Sequence, residues 1–278
     1  MNQTLHHIVT PSKFAKNNLV CLHGLMGSSN NFRSILKNKK INDQVTSYSV
    51  DLRNHGKSFH SSKMSSLDMA DDVYKFVQSN QLDNLVFMGH SLGGVVVSSL
   101  ASNYPDLWDI TKGFILVDIS PVNPHLLRKN NEIRSILEKL AYYQPVGKHY
   151  KQIKQEIYNA CNHQNDIAGL IMTNISGNES IGYSWSCNNY TLAMEYDNYI
   201  NAHQKEICPV KMKLIYGKES RHIHKGEAKP EMFDSYFSNF DPKKDFVGIE
   251  GAGHWVHAQK PYEFIDTLSE MLNDIINN

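Results

Sequence analysis

The residues with the clearest chemical promise lie between Asn84 and Pro105. Four apolar residues, Leu85 to Met88, precede Gly89-His90-Ser91-Leu92-Gly93, and small and β-branched residues follow. A strand, a sharp turn and a helix are the setting in which G-x-S-x-G raises a nucleophilic serine above a sheet edge. Gly89 and Gly93 lack side chains where strand and helix would otherwise collide. A serine nucleophile needs a base, an orienting acid and donors for the oxyanion. In this setting the chain order is serine, acid, histidine, which Ser91, Asp118 and His254 satisfy.

His254 is the expected base, because it directly follows the flexible Gly251-Ala252-Gly253 turn. His257 is its rival, three residues on. The acid has two candidates. Asp118 follows the apolar run Phe114 to Val117, whereas Glu219 follows the next predicted strand, with Ser220 where an aspartate would be expected. Asp118 is preferred. The N–H groups of Leu25, after His23-Gly24, and of Leu92, after the nucleophile, are the expected oxyanion donors. His23 and His90 lie inside tight turns and are expected to support them. The segment Asp51 to Ser58 is expected to do the same, with Arg53 binding carbonyls or a carboxylate.

Alternating elements must position these groups. Strands are expected at Leu5–Val9, Leu19–Leu22, Thr46–Val50, Leu85–Met88, Gly113–Val117, Lys211–Tyr216 and Asp245–Ile249. Helices are expected near Asn31–Leu36 and Ser66–Ser79, the latter with Met69, Val73, Phe76 and Val77 at helical spacing. A last helix starts at Pro261, proline being favourable at a first helical position. Such alternation implies an α/β fold, a mostly parallel sheet flanked by helices, with ligands at the carboxyl ends of the strands. Each motif above follows a strand, so all fall on one sheet edge.

From residue 122 to 201 the alternation stops. Helices are expected at Pro124–Tyr143, Tyr150–Cys161 and Asp166–Ile175, which reads as a helical lid inserted into a core of residues 1–121 and 202–278. Met26, Trp185 and Trp255 are the expected pocket residues.

Bulk properties narrow the rest. The 278 residues carry 28 Lys+Arg and 28 Asp+Glu, a formal net charge of zero, and show no long basic stripe. Nucleic acid is therefore not an expected partner. Four cysteines without C-x-x-C pairing do not suggest a disulfide framework. No run of 18 apolar residues suggests a membrane span. The first twelve residues resemble neither a secretory signal nor a mitochondrial presequence. The expectation is an intracellular protein, cytoplasmic rather than mitochondrial, monomeric or weakly dimeric, needing no cofactor and no metal.

Taken together, His23-Gly24-Leu25-Met26-Gly27-Ser28, Asp51-Leu52-Arg53-Asn54-His55-Gly56, Gly89 to Gly94, Val117-Asp118-Ile119-Ser120-Pro121 and Gly253-His254-Trp255 resemble the α/β-hydrolases. The resemblance is to the α/β-hydrolase domain-containing protein 11 group and related bacterial acyl esterases. It implies the α/β-hydrolase fold and a serine esterase or thioesterase for short to medium acyl chains. It also favours Asp118, since related esterases use the aspartate of that motif. Some members place an acid shortly after a lid tryptophan, but Trp185 is followed by Ser186-Cys187-Asn188-Asn189-Tyr190, without a carboxylate. The expected substrate is a small acyl ester or thioester. The alternatives are acyl transfer to an alcohol through the same acyl-enzyme, and a non-catalytic sensor of a small ligand.

Overall fold

Period-two alternation in the strands builds both faces of the core. The computed structural model describes residues 4–122, 132–223 and 228–277. Its main sheet contains β1 (His7–Thr10), β2 (Asn17–Leu22), β3 (Val45–Val50), β4 (Leu85–His90), β5 (Thr111–Val117), β8 (Met212–Gly217) and β9 (Phe246–Ile249). Strands β6 (Ile175–Asn178) and β7 (Gly182–Trp185) form a separate antiparallel hairpin. The main sheet runs β1-β3-β2-β4-β5-β8-β9, with β1 antiparallel and every other pairing parallel.

Val20, Leu22, Leu85, Phe87, Phe114 and Leu116 join one buried cluster; Leu19, Cys21, Val86, Met88, Ile115 and Val117 join the other. Successive side chains of a strand point to opposite faces, so each run serves two layers at once. The helix Ser66–Ser79 packs on the first face beside the helix Leu92–Asn103. Its start is a capping box, Ser65 accepting from the Asp68 N–H while the Asp68 carboxylate accepts from the Ser65 N–H. The helix Pro261–Asn277 covers the second face with Phe264, Leu268, Met271, Leu272 and Ile275.

The predicted strands and the predicted terminal helix fall within a few residues of the observed ones. The segment between β5 and β8 differs. It contains the helices Glu132–Leu140, Tyr150–Ala160 and Asn165–Met172, and then the β6–β7 hairpin in place of a purely helical segment. The predicted helix to Ile175 stops at Met172, because Ile175 opens a hairpin in which Gly177 of β6 and Gly182 of β7 both adopt positive φ. The first residues of the predicted helix Pro124–Tyr143, with Leu126 and Leu127, lie outside the described residues. Ile136, Leu137 and Leu140, and Ile167 and Ile171, join the same buried cluster as Leu85 and Phe87 of β4.

Candidate active site

Backbone geometry raises Ser91 at the end of the central strand. Ser91 has φ 51° and ψ −117°, a region that a residue with a Cβ occupies only at a cost. The neighbouring glycines make room for this turn. A Cβ on Gly89 would lie 2.3 Å from the Gly93 carbonyl oxygen, and one on Gly93 2.3 Å from that of Leu22. The Ser91 N–H donates to Val117 O at 3.0 Å, tying the turn to β5. Asp118, next after Val117, also has a positive φ of 52°. The strain therefore falls on two residues that point their side chains into one place.

There, His254 Nε2 lies 2.9 Å from Ser91 Oγ, and His254 Nδ1 lies 2.7 Å from Asp118 Oδ2. The Asp118 carboxylate is fully buried. Its Oδ1 accepts from the Gly217 N–H at 2.9 Å, and its Oδ2 also accepts from the Ser220 hydroxyl. Burial pushes the Asp118 carboxyl up to about 6, against the opposing pull of Ser220, the Gly217 amide and the nearby His222. Burial, assisted by His257, lowers His254 below the ordinary imidazole range. At neutral pH this leaves Asp118 ionised and His254 neutral, the state in which an imidazole can accept a proton.

Glu219 stands apart from this arrangement. It is exposed at the rim, and its N–H donates to Ala252 O at 2.9 Å. Ser220, which occupies the position where an aspartate was expected, instead serves the carboxylate of the neighbouring strand.

The loop after β2 is held from below. His55 donates from Nδ1 to Arg53 O at 2.9 Å, so its Nε2 accepts from the Met26 N–H at 3.1 Å. His23 likewise donates to Gly24 O and accepts from the Leu52 N–H. Arg53 forms two bonds to Asp72, at 2.5 and 2.8 Å, and others to the carbonyls of Lys63 and Asp68. The Asp51-to-Ser58 segment therefore braces the Gly24–Met26 loop. With the Met26 N–H engaged, the N–H groups of Leu25 and Leu92 are left without a hydrogen-bond partner among the described residues. Both residues line the cavity at Ser91.

That cavity has a volume of about 690 Å³. Val95, Ile119, Ile136, Leu137, Ile167 and Ile171 give it an apolar interior, while Glu132, Asp166, Glu219 and Arg221 are charged groups on its lining. Met26 and Trp255 line it as expected from the sequence, and so does His257. Trp185 does not. Its indole N–H donates to Tyr143 O at 2.8 Å, and it packs edge-on against the Tyr143 ring. A tryptophan in a short hairpin was a poor guide because its side chain stabilises the insertion itself. His90 supports the site more directly than a turn histidine would, donating from Nε2 to His254 O at 2.9 Å. The sequence offered no sign that Gly217, Ser220 and His222 would meet Asp118 and His254, since contacts across strands carry no local pattern.

A family described as the alpha/beta hydrolase fold matches residues 17–141. A solved structure titled "Marine microorganism esterase" superposes with a TM-score of 0.82 at 27% identity, covering 97% of this chain and 99% of that one. The chain has the α/β-hydrolase fold. This chain is similar to the "sn-1-specific diacylglycerol lipase ABHD11" of Mus musculus, at 29% identity over 91% of this chain and 80% of the relative. It is also similar to "Esterase YbfF" of Escherichia coli (strain K12), at 27% identity over 92% of this chain and 93% of the relative. Among the described residues no helix is long and apolar enough to cross a membrane.

Proposed function

We propose that this α/β-hydrolase is a serine esterase that cleaves carboxylic esters, or thioesters, of short to medium acyl chains. The observation that carries the reading is the unbroken line of contacts from Asp118 through His254 to Ser91, set beside two unengaged amides at the floor of an apolar cavity.

Ser91 is the nucleophile, His254 the general base and Asp118 the orienting acid. His254 Nε2 takes the Ser91 proton as Oγ bonds to the carbonyl carbon. The carbonyl π pair moves to oxygen, where the Leu25 and Leu92 N–H groups hold the charge. Asp118 stabilises the imidazolium and keeps its Nδ1 proton in place. The tetrahedral intermediate then expels the alcohol, which leaves with the proton from His254. A water molecule repeats the sequence on the acyl-enzyme, giving up a proton to His254, releasing the carboxylic acid and restoring Ser91. No step requires a metal or an organic cofactor.

Residues 122–201 act as a lid whose inner side chains, Ile136, Leu137, Ile167 and Ile171, receive the acyl chain. The apolar lining supports an acyl group there and excludes water from the oxyanion. A fluorophosphonate probe tests the assignment directly. Wild-type protein is expected to be labelled and Ser91→Ala not. Equal labelling of both, or of neither, would remove the basis of the proposal.

A further inference from the structure

The loop after β8 brings a second imidazole flat against that of His254. The ring centroids of His222 and His254 lie 3.7 Å apart with an interplanar angle of 29°. The two hydrogen bonds of His254, to Asp118 and Ser91, lie at opposite ends of its ring. Bonds so placed resist sliding but leave the ring free to tip about the line that joins its partners. A second ring on its face blocks that motion. Trp255 meets His254 edge-on at 5.6 Å, and His90 is tilted at 4.8 Å, so neither lies as flat or as close. The same loop is tethered to the acid, since the His222 N–H donates to Ser220 Oγ, whose hydroxyl donates to Asp118.

We propose that His222 is a positioning residue whose ring clamps one face of His254 and holds its Nε2 on the Ser91 hydroxyl. The proposal rests on the reading of Ser91 and His254 as nucleophile and base. Among the described residues, Asp118 and Ser91 bond to the edges of the His254 ring, whereas His222 meets its face.

The test uses p-nitrophenyl butyrate, with kcat and KM measured between pH 4.5 and 9 for wild type, His222→Ala and His222→Phe. A loosened imidazole is expected to lower kcat of the alanine variant by roughly 10- to 100-fold, the scale set by small misplacements of catalytic groups. KM should stay within about twofold. The phenylalanine variant keeps a flat ring and should recover most of kcat. Unchanged kcat in His222→Ala, a loss confined to KM, or equal losses in the two variants would overturn the clamp. Fluorophosphonate labelling in parallel separates the two readings. An unlabelled wild type removes the esterase proposal, whereas a labelled, active wild type with an unaffected alanine variant removes only the role of His222.

Discussion

Asp118 Oδ2 and His254 Nδ1 meet at 2.7 Å across 136 positions of sequence. The carboxylate reaches the imidazole from the end of β5, the strand beside the one that leads into Ser91, and the end of β8 and the loop after it contribute only a backbone amide, from Gly217, and a hydroxyl, from Ser220, to its support. This arrangement separates the two carboxylates between which the sequence leaves a choice.

Replacing Asp118 by asparagine keeps the shape but removes the charge that holds the Nδ1 proton in place. Turnover is expected to fall by about 10⁴, the scale of losing the aspartate of a serine triad. Glu219→Gln should change it by no more than about threefold. Steady-state kinetics on one p-nitrophenyl ester decide the matter, and the reverse ranking would reassign the acid.

Arg53 and Asp72 form a buried ion pair beneath the loop that carries Leu25. Arg53→Met strands the Asp72 carboxylate and should cost about 3–5 kcal/mol of stability in urea titrations. Adding Asp72→Leu should regain much of that loss. It should not regain all of it, because the carbonyls of Lys63 and Asp68 also lose their donor. A double variant no more stable than Arg53→Met would show that the pair is not what the site needs.

Stability should fall in mild acid. Burial holds His23, His55, His90, His254 and His257 below the ordinary imidazole range. Between the folded values and about 6.5 the unfolded chain therefore binds more protons than the folded one, so stability rises with pH and is lost as pH falls below about 6.5. Each fully shifted imidazole contributes up to about 1.4 kcal/mol per pH unit in that window. Asp118 acts in the opposite sense. Its folded value is raised to about 6, so protonation favours the folded chain below that pH; burial raises Asp72 as well, but these are two groups against the five imidazoles. Thermal melts should show a lower Tm at pH 5 than at pH 7.5, and a flat or rising Tm toward acid would contradict the balance.

Ile167 lines the cavity beside Ser91 from the insertion. Ile167→Trp should shorten the chain that fits. The kcat/KM ratio of octanoate to acetate p-nitrophenyl esters should fall by roughly 10-fold or more, given about 1–3 kcal/mol per displaced methylene. An unchanged ratio would place the acyl chain elsewhere.

Much of the core could be read from local pattern. Apolar runs with turn residues after them located the sheet strands, and Met69, Val73, Phe76 and Val77 located one helix face, because burial on a sheet or along a helix imposes periods of two and 3.6. The β6–β7 hairpin escaped notice because its strands have four residues each and Tyr183 alone among them is buried, so little burial patterned them. Trp185 misled for a related reason: a large side chain signals packing, and here the packing partner was the insertion.

The sequence by itself determined the α/β alternation, the tight turn at Ser91 and the candidates Asp118, Glu219 and His254, since each depends on a few adjacent residues and their sterics. Tertiary structure alone decided which carboxylate meets His254, which amides stay unengaged beside Ser91, and that His222 lies against the imidazole. Those outcomes depend on strand order and on the distance between loops. Parallel pairing brings residues more than a hundred positions apart within hydrogen-bond reach, and no local pattern in the chain records it.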